Sequence, residues 1–398
     1  MTSSRVRTFV LTLALSTASL VAAAPSASAT TWQVPGDASI TVVGHGNGHG
    51  RGLSQYGAQR AATKGLGYRQ ILRYYYPGTS SGKAGGSIKV LLTADTSRDV
   101  VVAARRGLAA RSVAGGRVLN LMKARPKARL WRITPLSGRR SAIDFKAGAW
   151  RRLTVVKGDA EFSAGGQPVR LLVPGGSRSY RGALRSASPG AGLDRDTVNV
   201  LGLDAYLQGV VAREVPSYWH PQALRAQAVA ARTYAAFDRA TTDRGHYDLC
   251  DTDACQVYGG VTDEVASTNA AVAATRGQVQ TKRGRPIFAQ FNASSGGWTS
   301  AGAFSYLPAK VDTYDAFSGN DFHDWTVPTS DARIEARWPA IGDLTSIETS
   351  DRDGNGQWGG RVGTVTLTGS AGAVDVSGDD FRFLMGLYST WFTLRVSS

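Results

Sequence analysis

One carboxylate in the sequence sits where a proton donor would be useful. Glu214 closes the apolar run Tyr206-Leu207-Gln208-Gly209-Val210-Val211-Ala212-Arg213, and Val215-Pro216 follow it with Tyr218 and Trp219 close behind. A carboxyl held against apolar and aromatic surface loses solvation, which disfavours its charged form and raises its pKa. Near neutral pH such a group keeps a proton and can give it to a leaving oxygen. The local pattern allows a second reading, a helix-end carboxylate paired with Arg213 or Arg225. Gln227 and Arg232 follow in an Ala-rich run that reads as buried on most faces. A buried guanidinium must be paired or face a polar cleft. Arg232 is therefore either a structural partner of a carboxylate or, with Gln227, a contact for a substrate carboxylate or acetamido group.

Three further clusters carry chemistry. His246, Cys250 and Cys255 fall within ten residues, and an imidazole with two thiolates can converge on zinc, leaving one position open. The same two cysteines can close a short disulfide loop, and the spacing alone leaves both readings standing. The run Gly44-His45-Gly46-Asn47-Gly48-His49-Gly50-Arg51-Gly52-Leu53-Ser54-Gln55-Tyr56 alternates glycine with polar residues, so its backbone can take positive φ and approach other groups closely. Neither thiol nor carboxylate stands beside His45 and His49 to complete a metal site. The spacing matches neither a dinucleotide nor a Walker loop. Finally, Asn292-Ala293-Ser294-Ser295-Gly296-Gly297 turns a strand end through Ser and Gly. A serine nucleophile needs a paired base, which is absent nearby, so turn chemistry or hydroxyls lining a sugar cleft fit better. Asp351-Arg352-Asp353-Gly354-Asn355-Gly356 starts like a calcium loop, but its twelfth position is Val362, where a bidentate Glu is needed; it reads as a hairpin turn.

These groups need elements to hold them. The first 29 residues read as a cleavable secretory signal: Arg5 and Arg7, an apolar stretch from Phe9 to Ala24, and the small-residue site Ala27-Ser28-Ala29. About 370 residues remain, enough for two or three domains. Cleavage takes the formal charge from +16 to +14, and a basic exported chain is expected to seek polyanions. Nucleic acid is disfavoured by export and by the absence of any nucleic-acid motif, and no later segment is long and apolar enough to span a membrane. Residues 30–86 hold the Gly/His run, a short helix and a Ser/Gly linker. Residues 87–190 show short alternating or apolar runs between turns, an all-β pattern. Its basic run, Lys123 to Arg132, reads as a solvated hairpin or as a patch for an anionic polymer. Residues 191–398 mix helices, expected at Leu203–Glu214, Pro221–Asp238 and Val261–Thr275, with later strands. The fold class is α+β: a mixed helical and β-sheet catalytic domain with an all-β accessory domain.

Taken together, the motifs resemble the SpoIID/LytB family, named for stage II sporulation protein D and the amidase enhancer LytB. Tyr206 to Tyr234 is similar to the family's "Y-L-x-G-V-V-x-x-E-M-P … W-P-x-E-A-L-K-A-Q-A-V-A-A-R-T-Y" core, with Val215 for Met, Gln222 for Glu and Arg225 for Lys. His246 to Tyr258 resembles its "H … C-D-x-x-x-C-Q-V-Y" segment, Ser294 to Thr299 its "S-S-G-G-x-T" turn, and Phe381 to Phe392 its "F-R-x-x-L-G-L-x-S-T-x-F" end. The likeness covers about 195–398 and 44–79. One departure concerns order. In most members "G-H-G-V-G-M-S-Q-Y-G-A … I-L-x-x-Y-Y-P-G-T" follows the "S-T-x-F" strand, whereas here Gly44 to Thr79 stands near the start. The chain reads as circularly permuted, which predicts that Thr41–Gly50 packs beside Phe392–Val396. The resemblance implies an exported lytic transglycosylase of the cell wall that cleaves between N-acetylmuramic acid and N-acetylglucosamine and leaves a 1,6-anhydro sugar. It implies Glu214 as the general acid and base. Gln227, Arg232, Ser294, Ser295, Gly296, Gly297, His49, Ser54, Gln55 and Tyr56 are the expected substrate contacts. It implies zinc on His246, Cys250 and Cys255, or else a Cys250–Cys255 disulfide. The expected partners are glycan strands, with anionic wall polymers or an amidase beside them. The rival reading is a non-catalytic wall-binding protein that stimulates an amidase.

Overall fold

The computed structural model describes residues 29–397. All but the last residue of the expected signal segment lie outside that range. The α+β class expected from the sequence is the class observed. Eight helices are present among the described residues: α1 (Gln55–Thr63), α2 (Tyr68–Tyr75), α3 (Leu121–Ala124), α4 (Leu203–Glu214), α5 (Pro221–Thr241), α6 (Ala266–Ala274), α7 (Asp331–Glu335) and α8 (Gly378–Met385).

Two antiparallel-dominated sheets form the β-rich half. One has seven strands in the order Leu249–Cys250, Ser87–Leu91, Asp196–Gly202, Ala183–Ala187, Ala160–Ser163, Ala109–Ser112, Leu119–Asn120. The other has six, in the order Trp150–Lys157, Arg140–Lys146, Leu130–Leu136, Val100–Ala103, Val169–Val173, Gly176–Tyr180. Alternate side chains such as Val100, Val102, Trp131 and Ile133 are buried, as a strand with one covered face requires. They share one continuous core with Leu207, Val210 and Val211 of α4 and Leu224, Ala228 and Ala231 of α5. The β-rich segment and the helices are therefore packed face to face rather than joined by a loose linker.

A second core, around Val42, Trp325, Ile347, Leu367, Phe381 and Phe392, lies between a four-stranded and a three-stranded sheet. In the three-stranded sheet, Ser39–His45 runs between Asp324–Ser330 and Phe392–Ser397, with Thr41 opposite Arg395 and Gly44 opposite Phe392. The early segment and the chain's last strand thus pair directly, as the permuted order requires. A third core joins α1, α2 and α5 through Leu53, Ala61, Leu72, Val229 and Ile287.

The helix expected over Val261–Thr275 is broken. A short 3-10 turn, Gly260–Asp263, precedes α6, with Val265 extended between them. Glu264 sits at the break because Arg181 holds both its carboxylate oxygens, at 2.6 and 2.7 Å. The acidic stretch Asp351–Gly356 does lie in a hairpin connection, between strands Leu344–Ser350 and Thr364–Gly369.

Candidate active site

Helix α4 stops at Glu214 because Val215 takes extended backbone (φ −139°, ψ 149°), as a residue before proline favours. Helix α5 begins at Pro221, where a missing N–H costs nothing. His220 caps it, its Nδ1 accepting from the Gln222 amide at 3.2 Å. The elbow between the helices carries Trp219, buried, and Tyr218, 86% exposed. Helix α1 comes from the distant Gly/His run and closes over this elbow. Ser54 caps α1 by accepting from the Gly57 amide at 3.0 Å. Gln59 Oε1 accepts from the His220 amide at 2.9 Å, which ties α1 to the elbow.

The result is a carboxyl packed against the elbow that keeps partial exposure. Burial pushes Glu214 up to about 7, and a hydrogen bond from the Gln55 side chain works against the rise. Burial also raises the Tyr206 and Tyr234 phenols, and the nearby Glu214 charge adds to both. The alternative pairing with Arg213 or Arg225 is not formed. Arg213 reaches Asp263 at 3.4 Å, and no salt bridge to Glu214 exists among the described residues. Tyr56 follows Gln55 on α1 and meets the Trp219 ring edge-on at 4.9 Å and Phe322 at 5.7 Å. Such aromatic surface beside a protonated carboxyl suits the apolar faces of a sugar ring. Gln227 is only 2% exposed, and neither end of its amide has a hydrogen-bond partner. At that exposure the amide is enclosed by the packed helices and is not open to a ligand.

Other expected contacts have different work. Ser294 and Ser295 are fully buried. Ser294 Oγ donates to Asp315 Oδ2 at 2.8 Å and Ser295 Oγ to Asp312 Oδ2 at 2.9 Å. The Ser295 and Gly296 amides also donate to Asp315, at 2.9 and 3.0 Å, as does Ser54 Oγ at 2.7 Å. Gly296 has φ +74°, and a Cβ there would lie 2.6 Å from the Gly46 nitrogen. The Gly/His run and the Ser-Ser-Gly-Gly turn, with Gly297 closing it, are thus clamped together: Asn47 N donates to Ser294 O at 2.8 Å and Ser294 N to Asn47 O at 3.1 Å. Ser294, Ser295 and Ser54 hold the loop that delivers Gln55, and their hydroxyls are spent on carboxylates rather than offered to a ligand. His49 also points elsewhere. It lines a separate cleft of about 330 Å³ with Arg51, Asp353 and Arg361. Burial, then the charges of Arg51 and Arg361, push it down to about 4.

Arg232 is a correction. Its guanidinium has no exposure and bonds Asp204 Oδ1 at 2.8 Å, with further bonds to the Val272 and Gln278 carbonyls. Asp204 begins α4 while Glu214 ends it, about 15 Å away at 1.5 Å per residue. Arg232 therefore pins α4, α5 and α6 from inside and does not reach a substrate at Glu214.

The zinc set does not fit either. Cys250 and Cys255 form a disulfide, so neither offers a thiolate. His246 Nε2 is hydrogen-bonded to Asp196 Oδ2 at 2.5 Å instead. Among the described residues, no cluster of three His, Cys, Asp or Glu is placed to hold a metal ion. The alternative, a disulfide, is the state present.

Sequence reasoning missed Asp312, Asp315 and His323. Burial raises Asp312 to about 6, with the Asp315 charge adding to it. Burial also pushes Asp315 up, but bonds from His323, Ser54 and Ser294 outweigh it and leave the carboxyl below its ordinary value. His323 Nδ1 lies 3.0 Å from Asp315 Oδ2, and that bond raises the imidazole against the effect of burial. Nothing in the spacing Lys310-Val311-Asp312-Thr313-Tyr314-Asp315 distinguishes these acids from a solvated turn.

Comparison with known proteins bears on residues 193–281, which match the family model described as stage II sporulation protein, SpoIID. Over 137 residues, 33% of this chain, the sequence is 34% identical to the amidase enhancer of Bacillus subtilis (strain 168). Over 53 residues, 13% of this chain, it is 47% identical to stage II sporulation protein D of the same organism. The matched segments span 18% and 15% of those two relatives' own lengths.

Proposed function

From a chain that belongs, through its α4–α5 segment, to the SpoIID/LytB family, we propose an exported lytic transglycosylase acting on peptidoglycan glycan strands at the cell wall. The observation that carries this is Glu214: a carboxyl raised to about 7 at the mouth of an aromatic elbow, without a cationic partner among the described residues. In the protonated form it donates to the glycosidic oxygen as the C1–O4 bond between N-acetylmuramic acid and N-acetylglucosamine breaks. The carboxylate then takes the proton of the muramyl C6 hydroxyl as O6 bonds to C1. One carboxyl suffices because the substrate's own hydroxyl stands where ordinary glycosidases use a second carboxylate or an activated water.

Gln55 hydrogen-bonds the Glu214 carboxyl, and the half-buried Tyr56 with the exposed Tyr218 offers aromatic surface for a sugar ring. The likeness to a relative named amidase enhancer supports a second reading, a wall-bound stimulator of an amidase. A stimulator has no use for a carboxyl poised at neutral pH, so the first reading is preferred.

The test is digestion of purified glycan strands, followed by mass spectrometry for 1,6-anhydromuramic ends. The wild type is expected to release them and Glu214→Gln to release none. Equal release by both proteins rules out Glu214. No release by either, with faster hydrolysis when an amidase is added, establishes the stimulator instead.

A further inference from the structure

The charge of this chain is not spread over it. Residues 87–190 carry 21 Lys and Arg against 5 Asp and Glu, a net +16, whereas the remainder carries 25 of each and is neutral. Within the segment, seven of the 21 bases are held in salt bridges. Arg132 and Arg152 share Asp144, and Arg111 and Arg185 share Glu161. The other fourteen have no salt-bridge partner among the described residues. Keeping so many like charges on one small β module raises its self-repulsion, and a bound polyanion relieves that.

The fold provides a place for one. The strand Leu119–Asn120 is an edge of the seven-stranded sheet, and the strand Trp150–Lys157 is an edge of the six-stranded sheet. Between these edges and helix α3 lies a cleft of about 650 Å³ lined by Arg117, Val118, Leu119, Asn120, Lys123 and Leu153. Val118 is 58% exposed. At its far end the same edge strand reaches Lys157, which with Arg139 and Asp159, the latter accepting from the Ser188 amide, lines a second cleft of about 430 Å³. Bases at both ends and an apolar stripe between them match a narrow, flexible chain in which charged groups alternate with short carbon segments. Neither cleft is lined by an aromatic side chain, and single-stranded nucleic acid is usually held by stacking its bases on aromatic rings. Trp150, on the same edge strand, has the Arg132 guanidinium over its ring at 4.5 Å.

We infer that this edge cleft docks a linear polyol-phosphate polymer, a phosphodiester-linked chain without bases of the kind bacterial walls contain. The docking goes beyond glycan cleavage and does not depend on the role of Glu214. It holds the protein on an anionic polymer through the β module, with none of the cleft residues drawn from the α4–α5 elbow.

Binding of fluorescent poly(glycerol phosphate) to the purified protein tests this, read by anisotropy from about 50 to 200 mM salt. Each contacted phosphate that releases a counterion is expected to weaken binding by up to about threefold over that range. The double variant Arg117→Gln/Lys123→Gln is expected to bind about tenfold more weakly, with a shallower salt dependence. Arg170→Gln/Arg178→Gln, near the opposite edge of the six-stranded sheet, controls for loss of charge alone and is expected to bind nearly as the wild type. Circular dichroism establishes that all variants are folded. Glu214→Gln is expected to keep polymer binding while losing glycan cleavage, so the two proposals fail separately. Equal losses in the two double variants, equal binding of an uncharged glycan, or tighter binding of single-stranded DNA with the same number of phosphates would each overturn the inference.

Discussion

Replacing Glu214 by Gln should stabilise the folded protein, and more so as the pH rises. The wild-type carboxyl moves from an ordinary 4.5 to about 7 on folding because burial disfavours its charge. Between those values the folded state holds the proton more tightly than the unfolded state does. The contribution of Glu214 to wild-type stability therefore falls as pH rises from 4.5 to about 7 and is level above that. A full pKa difference of this size corresponds to about 3 kcal/mol, a ceiling, because the carboxyl is only partly buried. A realised difference of about 1–2 kcal/mol is expected. The Gln amide is neutral throughout and still offers an oxygen and a nitrogen to Gln55, so the variant lacks this loss. The assay is urea unfolding of both proteins, followed by tryptophan fluorescence, at pH 4 and at pH 8. The gap between them should open in favour of the variant at pH 8. A gap independent of pH, or a variant less stable at pH 8, refutes the desolvation argument. The same pKa sets the catalytic profile: release of anhydromuramic ends should fall above about pH 7, as the acid form is lost.

Three further outcomes follow from the geometry. Asp315→Asn removes the charge that gathers Ser54, Ser294, His323 and two backbone amides, and should cost about 3 kcal/mol or more. Asp315 contributes stability above about pH 3.8 that is lost in acid, and His323 contributes stability below about pH 6.5 that is lost as pH rises through its raised pKa, so the gap should be widest between those values by urea titration. Gly296→Ala places a methyl group 2.6 Å from the Gly46 nitrogen at φ +74°, and should lower the urea midpoint and glycan cleavage together; a variant as stable and active as the wild type would show that the clamp is loose. Cys250→Ser/Cys255→Ser opens a short loop and should cost about 2 kcal/mol, while elemental analysis of the oxidised wild type, prepared without chelator, should find no stoichiometric zinc.

Local patterns were read well where local physics decides the structure. Helix α4 ends at Glu214 because a Val-Pro pair follows, and α5 begins at Pro221; both boundaries were legible in the sequence. The expected pairing of Thr41–Gly50 with Phe392–Val396 is seen in the register of Gly44 opposite Phe392, because two apolar strands at opposite ends of the chain each need a partner for their edges. The third helix failed at Glu264, where Arg181, 83 residues away, outweighs the continuous helical pattern. Arg232 failed for a similar reason. Its sequence shows that a buried guanidinium needs an acid, but only packing reveals that the acid is Asp204 at the far end of α4.

By itself, the sequence marked Glu214 as a candidate desolvated carboxyl, most of the runs that become helix or strand, and the basic charge of the chain. Those depend on neighbours a few residues away, on hydrophobic period and on composition. Only the tertiary structure decided that Gln55 reaches Glu214 and that the Ser-Ser-Gly-Gly hydroxyls bind Asp312 and Asp315. It also decided that Cys250 meets Cys255 rather than His246, and that two sheet edges converge into a basic cleft. Each of these is a choice among several chemically equivalent partners. Distance in the folded chain makes that choice, and spacing along the sequence does not encode it.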